Sequence, residues 1–187
     1  MGVQGKRVQR KLEGQFKETD LIVDVESILR MAAEEDCLDG NGNLKLDKIA
    51  EKKNINVVYE DDMPSTQSGY FRAKNGVYTI GINNKHHRNR QRFTFAHELG
   101  HFYLHKGKDN QDADFEDEIY YRIENTSSIE FAANEFASRL LIPEDRLAQK
   151  VKDGMTDLNE LAEYFEVSLE AMKYRVLSLN YSIMSNG

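Results

Sequence analysis

A single cysteine, Cys37, occurs in a chain of 187 residues, which excludes an intramolecular disulfide and agrees with a reducing cytoplasm. No apolar run approaches the roughly 18 residues that a membrane-spanning helix needs. The first twenty residues are charged and lack the apolar stretch of a secretory signal. Lys6 stands where a myristoylation signal would want Ser or Thr. The expectation is a soluble, cytoplasmic protein with no membrane partner. Positive charge is also in deficit: the net charge of −7 argues against nucleic-acid binding by the surface as a whole, because such binding is driven by Lys and Arg neutralising phosphates. Residues 1–17 are the exception, with Lys6, Arg7, Arg10, Lys11 and Lys17 against one acid, Glu13. Residues 1–19 read as a basic, flexible tail.

What is present suffices for one good core, with 40% hydrophobic content. Leu21, Val25, Ile28, Leu29 and Ala32 recur at helical spacing from Asp20 to about Glu35. Asp39-Gly-Asn-Gly-Asn43 then breaks the chain. It reads as a turn, because a calcium loop would want Gly at Leu44 and Glu at Ala50. Leu44, Ile49 and Ala50 suggest a second short helix, and Ile55–Tyr59 reads as a strand. Between Gly69 and Ile82, Asn75-Gly76 separates two strand-like runs and predicts a tight hairpin. The expected class is therefore α+β: a small three-stranded antiparallel sheet packed on the helix that follows. In the loop before that helix, His86 and His87 lie among Lys85, Arg88 and Arg90, cations hostile to a metal, and read as surface. Residues 106–126 are strongly acidic and read as a mobile connection.

That helix carries the chemistry. Residues 92–105 contain no proline, and Phe93, Phe95, Leu99 and Phe102 have the spacing of a buried helix. Within it stands His97-Glu98-Leu99-Gly100-His101. Residues i and i+4 share a helix face, so the two imidazoles can converge on one cation at about 2.0–2.1 Å. Glu98, one step round, can take a proton from a water on that cation, the general-base role in metal-assisted peptide hydrolysis.

Catalytic zinc takes three protein ligands and keeps one position open. A third histidine in the H-E-x-x-H-x-x-G-x-x-H pattern would fall at Gly107 and is absent. His105 lies about 80° round the helix from His97 and reads as a group behind the ligands or facing substrate. The preferred third ligand is Glu130. It shares a face of small residues with Ala133, Asn134, Ala137 and Leu141, which lets its helix approach the metal helix closely. Asn134 can accept a hydrogen bond from a ligand histidine. Glu135, beside Phe131 and Phe136, and Glu124 are the rivals. His105, Tyr70, Tyr103, Tyr120 and Tyr121 all have chemistry suited to stabilising an oxyanion.

Arg92-Phe-Thr-Phe-Ala-His-Glu-Leu-Gly-His with Leu104-His105, followed by Glu130-x-x-Ala-Asn-x-Phe-Ala-x-x-Leu-Leu-Ile-Pro143, resembles the ImmA/IrrE family of zinc metallopeptidases over residues 55–145. The resemblance implies a zincin-like, thermolysin-like peptidase unit, with Zn2+ on His97, His101 and Glu130 and with Glu98 as base. It implies as partner and substrate a helix-turn-helix repressor or antitoxin of a phage, mobile-element, stress or defence system, cut at one site. The domain reading is then a tail over 1–19, a metallopeptidase domain over 20–145, and a C-terminal helical extension over 146–187 packed on it. Leu158, Leu161, Ala162, Phe165, Val167, Ala171, Met172 and Val176 have the rhythm of a helix-turn-helix, with Ser168 as a cap. The rival function is a DNA- or repressor-binding regulator with a latent or structural zinc site. Only Lys173 and Arg175 supply cations on the second helix, so packing or repressor docking is favoured over DNA reading. Cys37 could serve as an inhibitory thiolate on zinc, but a lone cysteine of this kind reads as structural.

Overall fold

The computed structural model describes residues 2–4, 25–106 and 126–184. Most of the basic tail, and nearly all of the acidic connection with Tyr120, Tyr121 and Glu124, lie outside the described residues, as does the side chain of His105. β1 (Gly2–Gln4) pairs with β5 (Ser182–Met184), antiparallel, and so joins the two ends of the described chain. α1 (Val25–Glu34) buries Val25, Ile28 and Ala32, the stripe that its spacing predicts. After it, Asp39 accepts hydrogen bonds at Oδ1 from the amides of Asn41 and Asn43 at 2.9 and 2.7 Å. This is the turn expected of an Asp-Gly-Asn-Gly-Asn run.

α2 (Leu46–Lys52) leads into a sheet of β2 (Ile55–Glu60), β3 (Gly69–Lys74) and β4 (Val77–Asn83). Asn75 and Gly76, at φ 51° and 74°, supply the two left-handed residues that a tight hairpin turn needs. β3 and β4 pair antiparallel, from Gly69 opposite Ile82 to Lys74 opposite Val77. The expectation of a wholly antiparallel sheet needs correction: β2 pairs with β4 in parallel, in the order β2-β4-β3. The physical reason lies in burial and in the connection. Ile80, Gly81, Ile82 and Asn83 are all buried, so β4 takes the centre. Residues 61–68 carry the chain past that place to the far edge. The buried Asn83 amide ties this crossing down, donating to the carbonyls of Pro64 at 2.9 Å and Gln67 at 2.7 Å.

One face of the sheet packs on α3 (Arg88–Lys106). Phe102 meets Phe71 and Tyr78 edge-on, with ring centroids 6.2 and 5.1 Å apart. α4 (Thr126–Leu141) lies against α3. α5 (Glu144–Lys152), α6 (Leu158–Tyr164) and α7 (Leu169–Ser178) complete the fold. Asp157 caps α6 through the amides of Asn159 and Glu160, and Ser168 caps α7 through that of Ala171. Leu158, Leu161, Phe165, Met172 and Val176 belong to the same apolar cluster as Phe95, Leu99 and Ile80. The α+β class therefore stands, with the sheet mixed. No helix among the described residues is long and apolar enough to cross a membrane.

Candidate metal centre

Several contacts fix α3 before its candidate site residues are reached. The amide of Asn89 donates to His87 Nδ1 at the start of the helix, and the Asn89 side chain donates to the Val167 carbonyl at 2.9 Å. Arg92 donates to the Leu44 carbonyl at 2.9 Å. His86 lies 3.0 Å from the Ser65 carbonyl, so both loop histidines have local roles. Cys37 is fully buried, and its thiol points at the Glu35 carbonyl, 3.6 Å away.

On the next turns, the Nε2 atoms of His97 and His101 lie 3.0 Å apart. Glu130 reaches both from α4: one carboxylate oxygen is 3.3 Å from His97 Nε2 and the other 3.3 Å from His101 Nε2. A tetrahedral zinc with bonds of about 2.0–2.1 Å sets neighbouring donor atoms about 3.3–3.4 Å apart. The three side chains therefore fit such an ion closely. Asn134, one turn beyond Glu130, places Oδ1 3.0 Å from His97 Nδ1. With the proton on Nδ1, that contact turns the lone pair on Nε2 toward the centre.

Glu98 is the second carboxylate nearby. Ligand atoms of His97, Glu98 and His101 all lie within 4.8 Å of one another, whereas Glu130 holds each imidazole at 3.3 Å. Glu98 is also only 7% exposed and sits where α3 meets the edge strand. A Cβ on Gly69 would lie 3.4 Å from its Oε1 and 2.5 Å from Cγ2 of Thr94. Gly69 and Thr94 thus wall in this carboxylate, a role that sequence reasoning missed. The available signals were a Thr four residues before Glu98 on the same helix face and a glycine opening a strand.

Charge follows geometry. Hydrogen bonds from His101 and His97 hold the Glu130 carboxyl well below the usual carboxylate range, against the opposing effect of burial. Burial disfavours charge on His97, yet the Glu130 hydrogen bond and the charges of Glu98 and Glu130 raise its pKa above the ordinary imidazole value. The centre is a cradle for a cation.

Other candidates lie elsewhere. Glu135 is turned toward α7, 3.5 Å from the Tyr174 hydroxyl and 3.7 Å from Arg175. The Tyr70 hydroxyl donates to Glu60 at 2.6 Å. Tyr103 packs between Phe102 and Phe136, and burial pushes its hydroxyl up to about 12.

A family model described as peptidase M78, IrrE N-terminal-like domain, matches residues 50–177. No curated protein matches the chain at a significant level. Among solved structures, a Mycobacterium tuberculosis transcriptional regulator is similar with a TM-score of 0.60 and 19% sequence identity, over 83% of this chain and 47% of that one. The chain thus spans about half the length of that regulator, and at this identity the likeness is one of fold.

Proposed function

This chain belongs to the peptidase M78 family with its IrrE N-terminal-like domain, and on that premise we propose that it is a zinc-dependent endopeptidase. Its substrate is a helix-turn-helix repressor or antitoxin, cut at one site in the cytoplasm. The observation that carries the reading is the cradle itself: two imidazole nitrogens 3.0 Å apart, each 3.3 Å from Glu130, with the sheltered Glu98 beside them. His97, His101 and Glu130 would hold the ion, and His2Glu is a donor set that suits catalytic zinc. When bound, zinc would polarise the scissile carbonyl and lower the pKa of an attacking water toward neutrality.

The chain's own residues do the rest. Asn134 orients His97. Glu98 accepts the proton of the attacking water and returns it to the leaving amine. Among the described residues β3 is an edge strand, so an extended segment can add to it by main-chain hydrogen bonds. With no side chain, Gly69 leaves that segment room to come close to Glu98. Two things support a regulatory substrate: the resemblance noted above, and the fact that a solved protein sharing this fold is itself a transcriptional regulator.

The test pairs the purified chain with each helix-turn-helix protein found among the reading frames that adjoin its gene. With zinc present, wild type should give one pair of fragments, and a chelator should stop the reaction. Glu98→Gln should reduce the rate by about 10²–10⁴. Cleavage by Glu98→Gln at the wild-type rate would sink the assignment.

A further inference from the structure

The edge strand carries a cation built into a fixed position, and that position lies a short way from Glu98. Along β3, Phe71 and Ala73 face the core while Arg72 and Lys74 are exposed on the opposite face. Tyr70 lies on that outer face too. Its hydroxyl donates to Glu60 of β2 at 2.6 Å, so its ring crosses the central strand at Gly81. A Cβ on Gly81 would fall 2.2 Å from Tyr70 Cε1, so the ring can lie there only because that residue has no side chain. The guanidinium of Arg72 stacks on this ring, its Cζ 4.9 Å from the centroid. Glu60, Tyr70 and Gly81 together make a platform that holds Arg72 at the rim of the sheet, with its rotamers restricted before any partner arrives.

We propose that Arg72, with Lys74 two residues on, selects a substrate segment bearing acidic residues at alternate positions. The inference deepens the peptidase reading and rests on it, since the edge matters to cleavage only if an extended segment lies beside Glu98. Directly opposed residues of paired strands point to the same face, and opposite charges there attract. A strand added to β3 puts the residue opposite Gly69 next to Glu98. The residues opposite Arg72 and Lys74 then face outward, the nearer about 10 Å along the strand at about 3.3 Å per residue. Antiparallel addition, the more stable pairing, runs the substrate from Lys74 toward Gly69. Its acidic residues therefore precede the bond that is cut. The net charge of −7 favours basic peptides, so a preference for acidic ones identifies the local edge as its cause.

Two labelled strand-forming peptides test this, identical except that two alternate positions are both Glu in one and both Lys in the other. Binding is read by fluorescence anisotropy on the full, zinc-loaded Glu98→Gln chain, so that neither peptide is consumed. The Glu peptide should bind at least about fivefold tighter. Arg72→Gln should shrink that preference, Arg72→Glu should cancel it by leaving Lys74 opposed by an acid, and Tyr70→Phe should weaken it by loosening the platform. Equal binding, tighter binding of the Lys peptide, binding of neither, or a preference untouched by Arg72→Glu would each overturn the proposal. Failure of the peptidase reading shows separately, as absence of repressor cleavage by wild type while the anisotropy preference persists.

Discussion

A histidine that is to bind a metal must present an unprotonated nitrogen, and for the proposed ligand His97 a single amide oxygen decides which nitrogen that is. Asn134 Oδ1 accepts from Nδ1 at 3.0 Å, which assigns the lone pair to Nε2. Asn134→Ala should therefore weaken zinc affinity by about 10–100-fold while leaving the melting temperature of the metal-free chain almost unchanged, because Asn134 is exposed. Asn134→Asp keeps the acceptor and should retain most of the affinity. Competition against a chromophoric chelator measures both. At this scale much was legible from the chain alone. His97 and His101 are related by helix periodicity, and Glu130 and Asn134 by theirs, so local rules suffice to place each pair on one helix face, and the structure brings the two faces together. Gly69 and Thr94 were not legible as partners of Glu98, because they meet it only through the packing of a strand on a helix.

The two elements that bring the proposed ligands together are α3 and α4, and their separation is set where Gly100 faces Ala133. A Cβ on Gly100 would lie 3.1 Å from Cδ1 of Phe136, 3.2 Å from Cα of Ala133 and 3.3 Å from its carbonyl oxygen. The ring can turn aside; the backbone of Ala133 cannot move without its helix. Gly100→Ala gains about 1 kcal/mol of helix propensity against an overpacking penalty of about 1–3 kcal/mol. The net is a loss of about 0–2 kcal/mol, so the melting temperature should stay level or fall by up to about 8 °C. Zinc affinity should drop clearly, since Glu130 is one turn from Ala133 and moves with it. Calorimetric melting and zinc titration of the same variant separate the two effects. The small-residue face was readable in the sequence because close helix packing demands it. The sheet was readable only in part. Asn75-Gly76 specifies the β3–β4 hairpin locally, but the parallel β2–β4 pairing depends on how residues 61–68 cross. The buried Asn83 amide secures that crossing by bonds that link distant parts of the chain.

For the molecule as a whole, the C-terminal helices share their core with the helix and sheet that build the candidate metal centre. Arg175, one of two cations on the second helix of the pair, is 5% exposed and donates to the Ile142 carbonyl at 3.0 Å. It is thereby withdrawn from any DNA backbone. With a net charge of −7, the chain should give no salt-dependent shift of duplex DNA in a gel assay at physiological ionic strength. A shift that weakens steeply with salt would favour a DNA-reading role for α6 and α7. The proposed chemistry depends on a division of labour between two carboxylates, Glu130 holding the ion and Glu98 kept for proton transfer. The most direct test is zinc content by atomic emission after dialysis against zinc-buffered solution, for wild type, Glu98→Gln and Glu130→Gln. Wild type and Glu98→Gln should each retain a single zinc per chain, while Glu130→Gln should lose most of it. A zinc-free wild type, or a Glu130→Gln chain that holds zinc as well as wild type does, would contradict the account.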